Sequence, residues 1–229
     1  YCYSGQCLFS SMLGGRSGNR GLCAQPCRLS FSADNSGSFD LSLKDLSLID
    51  KIKEIESAGI ISLKIEGRMK TPFYVGTVIK AYRQAIDDYF EDPAKYEQKR
   101  EYYLDEVSKA SHRDYTTAFY YGRPDGNQQV YTNNSYIRPY DFIGVVQEAS
   151  DAEGYAWIEQ RNKFCVGDVI EIMKPDGRNV ACQVLQIQDD QGEKMESAPH
   201  PKQELWLTLS EAAETGDLLR TIVEKETDE

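Results

Sequence analysis

Histidine is nearly absent from this chain: His112 and His200 are the only two in 229 residues. A zinc protease needs a motif such as His-Glu-x-x-His and a cysteine protease needs a histidine base paired with its thiol, and neither constellation is present. Long apolar runs are missing as well. No stretch approaches the about 18 apolar residues of a membrane-spanning helix, and the first residues lack the basic and apolar regions of a signal peptide. The cytoplasm is therefore the expected compartment, with no membrane partner. The first residue is Tyr rather than Met, and it falls inside a motif, so the chain is expected to be the C-terminal portion of a longer protein.

What remains is ordinary for a globular protein, with 40% hydrophobic and 28% charged residues, enough for one large domain or two small ones. The charge is unevenly spread. Residues 1–139 hold 18 Lys/Arg against 17 Asp/Glu, a net of +1, and residues 140–229 hold 8 against 20, a net of −12. Two modules follow from this break, 1–139 and 140–229. The acidic second module repels phosphate backbones, which leaves nucleic-acid contact to the first half.

The first 28 residues concentrate four of the six cysteines, five of the 17 glycines and three arginines, with no acidic residue. Cys2, Cys7, Cys23 and Cys27 form two short clips around a Gly/Ser/Arg-rich loop. Four thiolates in such a loop suit a soft-ligand metal site. Zinc sites favour C-x2-C pairs while iron–sulfur clusters accept more varied spacing, so the pattern leans to a cluster, with zinc, disulfides or free thiols as alternatives. Arg16, Arg20 and Arg28 would offset the charge of thiolates or of an anionic ligand. Cys165 and Cys182 sit in strand-like surroundings and read as plain buried thiols.

Further along, Leu46, Ile49, Ile52 and Ile55 recur at helical spacing and Gly59 supplies a stop. Residues 61–68 (ISLKIEGR) alternate and predict a short strand. Thr71-Pro72 opens a long helix, Asp92-Pro93 restarts another to about Lys109, and from Tyr140 six short alternating segments with polar turns predict a small antiparallel β-barrel, expected to fold on its own.

The run YSGQCLFSSMLGGRSGNRGLCAQPCR resembles the cysteine motif of the peptidase U32 family, long filed as collagenase-like proteases. The segments from SLKDLSL to YRQAID, SHRDYTTAFYYGRP and NKFCVGDVIEIMKPDG resemble later parts of the same family, so the likeness spans essentially the whole chain. In the turn at His112, Asp114 and Ala118 stand where glycine is usual. The resemblance implies an α/β portion, the last part of a TIM-type barrel with a Cys-rich loop, followed by the β-barrel. It places Lys64, Glu66 and Arg68 at the C-terminal end of a barrel strand, where such enzymes keep catalytic groups. Arg16, Arg20 and His112 become candidate substrate-binding residues.

Several members of the family are oxygen-independent hydroxylation proteins with a [4Fe–4S] cluster. The pattern carries over onto Cys7, Cys23 and Cys27, with a further ligand normally two positions before Cys2. The branch most resembled hydroxylates the wobble uridine of tRNA at its 5-position in bacteria, with the small dicarboxylate prephenate as oxygen source. The alternatives are a collagenase-like peptidase, a 23S rRNA cytidine hydroxylation protein, or a chain that serves only as a binding module. Implied partners are tRNA, that dicarboxylate and a paralogous protein subunit. The cluster is expected in the full-length protein, with zinc or no metal as the alternative in this chain alone.

Overall fold

The computed structural model describes residues 7–32, 37–39, 41–67, 70–123, 125, 127, 129–130 and 136–223. Cys2 and Arg68 lie outside the described residues. The chain divides into two compact units, one of residues 1–50 with 112–137 and one of 51–111 with 138–229. The helices after residue 51 thus group with the acidic barrel rather than with the cysteine-rich loop.

In the second unit, a barrel is built from six strands, β1 (Tyr140–Glu148), β2 (Tyr155–Gln160), β3 (Val169–Met173), β4 (Asn179–Gln188), β5 (Glu204–Leu209) and β6 (Leu218–Ile222), with two-residue strands at Phe164–Cys165, Lys194–Met195 and Ser197–Ala198 beside it. The six pair antiparallel in the order β3-β6-β1-β2-β5-β4, and β4 returns to β3, which closes the barrel. Closure removes the unpaired edges that an open sheet would leave. Alternation along each strand decides what goes inside. In β2, Ala156, Ile158 and Gln160 are buried while Tyr155, Trp157 and Glu159 face outward. The interior holds Ile143, Ile158, Ile172, Val184, Leu205 and Leu219 among others. Gln160, the one polar side chain on the inward face of β2, donates to the carbonyls of Asn162 (2.9 Å) and Ala198 (2.6 Å). The β3–β4 turn is Pro175-Asp176-Gly177, with Gly177 at φ +94°, a conformation that favours glycine.

The helices of this unit start where their caps predict. In α3 (Pro72–Glu91) the Thr71 hydroxyl accepts from the Tyr74 N–H at 3.2 Å, and Pro72 occupies the first turn, where a missing N–H costs nothing. Asp92 caps α4 (Pro93–Gln98) by accepting from Ala94 at 2.9 Å, and α5 (Arg100–Ser108) follows. Phe73 of α3 stacks on Phe142 of β1 with ring centroids 5.4 Å apart. Beside it runs a buried ion network. Glu106 of α5 meets Arg220 of β6 at 3.0 Å, Lys109 at 2.6 Å and Lys80 of α3 at 3.2 Å, while Arg220 also pairs with Glu171 at 2.7 Å. Helices and barrel therefore share one polar core.

Two expectations fail. The helix predicted from Leu46 begins only at α2 (Ile52–Ser57), after a 3-10 turn at Ile49–Lys51. Residues 45–46 instead pair in parallel with 115–116, and Leu46 stays 53% exposed. Backbone pairing at that point overrides the side-chain period. Residues 61–67 carry no strand, and Ile61 is fully exposed. A strand exists only through a neighbour's hydrogen bonds, and among the described residues none pairs with 61–67. The barrel-like α/β portion is thus not seen as a barrel.

In the first unit, the turn after His112 holds Ala118 at φ +46°, with its N–H donated to the Thr116 hydroxyl at 3.0 Å. An L-residue in the left-handed region costs roughly 1–2 kcal/mol relative to its usual conformations. Ala118→Gly is expected to stabilise the chain by about 1 kcal/mol, read as a higher thermal midpoint. A lowered midpoint would mean that the added freedom of the unfolded chain outweighs the relieved strain.

Candidate functional site: the thiol loop and its arginines

The cysteine-rich stretch folds as a chain of tight turns, as its glycines allow. Helix α1 (Phe9–Gly14) ends at Gly15 in the left-handed region, a 3-10 turn spans Gly18–Arg20, and a second spans Pro26–Arg28. Ser10 is buried and accepts from the Ala24 N–H at 3.0 Å, which ties the loop's start to its end. Arg16 is exposed, and its Nε donates to the Leu22 carbonyl at 2.8 Å, so it staples the loop. Arg20 is exposed on the 3-10 turn.

Cys7 and Cys27 are half-buried and Cys23 is exposed, all three as free thiols. The Cys23 sulfur accepts from the Gln25 N–H at 3.3 Å, and Gln25 takes a left-handed conformation at φ 55° to make that turn. The donor set is soft and suits iron or zinc. Among the described residues, no three His, Cys, Asp or Glu side chains converge as a metal site, so the cysteines share a loop without forming a closed ligand set. Leu8, Met12, Leu13, Leu22 and Leu29 around the loop are exposed.

Next to Cys27 stands an arrangement that sequence reasoning missed. The Arg28 guanidinium donates to the Tyr136 hydroxyl at 2.5 Å and lies 5.3 Å from that ring's centroid, and Arg113 lies 5.5 Å from the same ring. Asp45 holds Arg113 through its guanidinium (2.8 Å) and its backbone N–H (2.9 Å). Two guanidiniums thus gather on one phenol, with Asp45 balancing Arg113, and a guanidinium fork is the group that matches carboxylate or phosphate. The sequence separation of 108 between Arg28 and Tyr136 hid it, because no local pattern links them. His112, by contrast, is buried, stacked flat on Tyr115 at 4.6 Å and paired through its backbone with Ile137.

Lys64 and Glu66 belong to the other unit and are exposed on the segment that precedes α3. Along the same segment, Ile60, Ile61, Leu63 and Ile65 with Ile79 and Phe90 line an open apolar groove of about 620 Å³.

The family model described as Peptidase family U32 matches residues 1–130, and that of the Peptidase family U32 C-terminal domain matches 138–220. A tRNA hydroxylation protein P1 of Bacillus subtilis is 34% identical over 231 residues, which cover 95% of this chain and 54% of that protein. A collagenase of Porphyromonas gingivalis is 30% identical over 181 residues, covering 75% of this chain and 50% of that one. The crystal structure of the C-terminal domain of a U32-type chain from Geobacillus thermoleovorans gives a TM-score of 0.33 at 29% identity, covering 35% of this chain and 99% of that domain. The chain spans about half the length of the curated relatives it matches.

Proposed function

The chain belongs to peptidase family U32, and from that premise we propose that it is part of an enzyme that hydroxylates tRNA, at the 5-position of a uridine, without molecular oxygen. The thiol loop carries this reading: three cysteines outside any disulfide on one glycine-rich loop, with the Arg28–Tyr136–Arg113 cluster immediately after the last of them. Cys7, Cys23 and Cys27 would hold a [4Fe–4S] cluster together with a ligand from elsewhere in the full-length protein. When bound, that cluster supplies redox chemistry. Arg28 would bind a carboxylate of a small dicarboxylate such as prephenate, or an RNA phosphate, through a planar bidentate contact, with Arg113, held by Asp45, adding positive charge at the same ring.

The exposed apolar side chains support a larger assembly. Ile60, Ile61 and Phe90 along the groove, and Leu8, Met12 and Leu13 at the loop, are exposed, and contiguous exposed apolar side chains mark an interaction surface. In our reading the alternating residues 61–68 would become a barrel strand only when the other strands, from the rest of the full-length protein, pair with them. Lys64, Glu66 and Arg68 would then stand at the catalytic end of that strand. The peptidase reading finds less support. His112 is stacked on Tyr115 and buried, which does not suit a base that must reach a thiol.

Nucleoside analysis of RNA from cells carrying only the Arg68→Lys variant of the full-length protein tests this reading. Lysine keeps the charge but loses the planar fork, so most hydroxylated uridine should disappear from tRNA while protein level stays unchanged. Unaltered nucleosides would place Arg68 outside the site. Loss of 5-hydroxycytidine from 23S rRNA instead would move the enzyme to the rRNA branch.

A further inference from the structure

We propose that the outer face of the β-barrel around Trp157 and Trp206 is a docking site for a basic polypeptide segment, with arginine or lysine side chains seated over the two indoles. This site is separate from the thiol loop and does not depend on the RNA reading. Trp157 of β2 and Trp206 of β5 are directly opposite in the ladder, with ring centroids 4.7 Å apart. Their strand neighbours Ala156, Ile158, Leu205 and Leu207 are buried, so the alternation turns both indoles outward, where each remains partly exposed. An outward aromatic pair is not needed to close the barrel, whose interior is already filled by mostly aliphatic side chains together with Phe164.

The surrounding charges select the partner. Across the ladder the row runs Glu148, Trp157, Trp206, Gln188, with Lys194 opposite Gln188 at its far end. One step along, Glu159 and Glu204 face each other, a like-charged cross-strand pair that destabilises a sheet. Arg161 pairs with Glu159 at 2.5 Å, while Glu148 and Glu204 are exposed. Arg161 already meets Glu159, so a docked cation would draw on the exposed Glu148 and Glu204 and lie beside the indole faces, which attract guanidinium and ammonium groups. Single-stranded RNA could stack on the same rings, but the module's net charge of −12 (8 Lys/Arg against 20 Asp/Glu over residues 140–229) opposes a phosphate backbone.

The chain has only these two tryptophans, so its indole emission reports on this face alone. A labelled Arg-Gly repeat peptide, added to the whole chain at physiological salt, should shift or quench that emission saturably. By anisotropy, Trp206→Leu should weaken binding at least about tenfold, the worth of roughly 1.4 kcal/mol of cation–π contact. Glu148→Gln with Glu204→Gln should weaken it too, with both indoles intact. Glu211→Gln with Glu214→Gln, which removes equal charge from the β5–β6 connection, should leave it within about twofold, so that bulk charge is distinguished from this site. Circular dichroism on each variant guards against misfolding. Failure of the peptide to bind, equal weakening by the two charge pairs, an inert Trp206→Leu, or preferential quenching by oligouridine would each overturn the proposal.

Discussion

If the thiol loop holds the proposed cluster, serine in place of Cys7 is expected to remove iron and acid-labile sulfide from the full-length protein and to reduce the proposed tRNA hydroxylation to background. Serine matches cysteine in size but offers a hydroxyl that stays protonated at neutral pH, whereas the thiolate is both the soft ligand and the charged one. Cys7 precedes α1, whose Ser10 hydroxyl holds the Ala24 N–H one residue after Cys23. The fold of the loop therefore has a fastening independent of the thiol, and Cys7→Ser should leave the protein folded. The measurement is anaerobic: the broad absorption in the blue part of the visible spectrum, with iron and sulfide analysis, for wild type and variant side by side. Zinc without iron in the anaerobic wild type would end the redox reading, whatever the variant does. Full cluster content in Cys7→Ser would instead show that the ligands are drawn from elsewhere.

The parts of this molecule that were legible in the sequence are those governed by neighbours in the chain. Thr71-Pro72 and Asp92-Pro93 announce their helices because a cap needs only an oxygen and a nearby N–H. The six barrel strands were readable because one face of each is buried, so the pattern of two is enforced along its length. What failed was non-local. The alternation of residues 61–67 is real, but alternation becomes a strand only when another strand pairs with it, and Ile61 is left fully exposed. Leu46 sits on a helical period and yet pairs with Thr116, seventy positions away in sequence. Likewise the thiol loop was evident from composition, while Arg113 and Tyr136 joined it through contacts that no spacing could suggest.

The buried network on Glu106 carries the largest stability effect that the fold allows us to state. Glu106 and Arg220 are both fully buried, and the carboxylate is met by Arg220, Lys109 and Lys80 and by the Asn179 amide at 3.0 Å. The Tyr140 ring lies 5.0 Å from the Arg220 guanidinium and helps to seal it. Glu106→Gln keeps the shape but leaves three cations around a neutral amide, two of them almost out of reach of water. Removing one partner from a buried ion group costs about 3–5 kcal/mol when the remaining charge is left uncompensated, and because Glu171 still meets Arg220 (2.7 Å) and Asp105 still meets Lys109 (3.1 Å), the lower end of that range is expected. A loss of that size should appear at neutral pH as a large drop in the urea midpoint of the whole chain. The pH dependence gives a second reading of the same group. Burial pushes the Glu106 carboxyl up, but Arg220, Lys109, Lys80 and Asn179 more than offset it and hold it at about 2. Unfolded glutamate titrates near about 4.3, so the folded value is depressed and the network's contribution is complete above that pH and drains as pH falls toward 2. Asp88, also held at about 2 against burial by Lys95, Tyr103 and Lys99, drains over the same range. The wild type should therefore lose stability steeply below about pH 4.5, and Glu106→Gln should lose it less steeply, retaining the share that belongs to Asp88. A variant whose neutral-pH stability falls by less than about 1 kcal/mol, or whose acid slope matches the wild type, would mean that the three cations find other partners and that helices and barrel are not joined through Glu106.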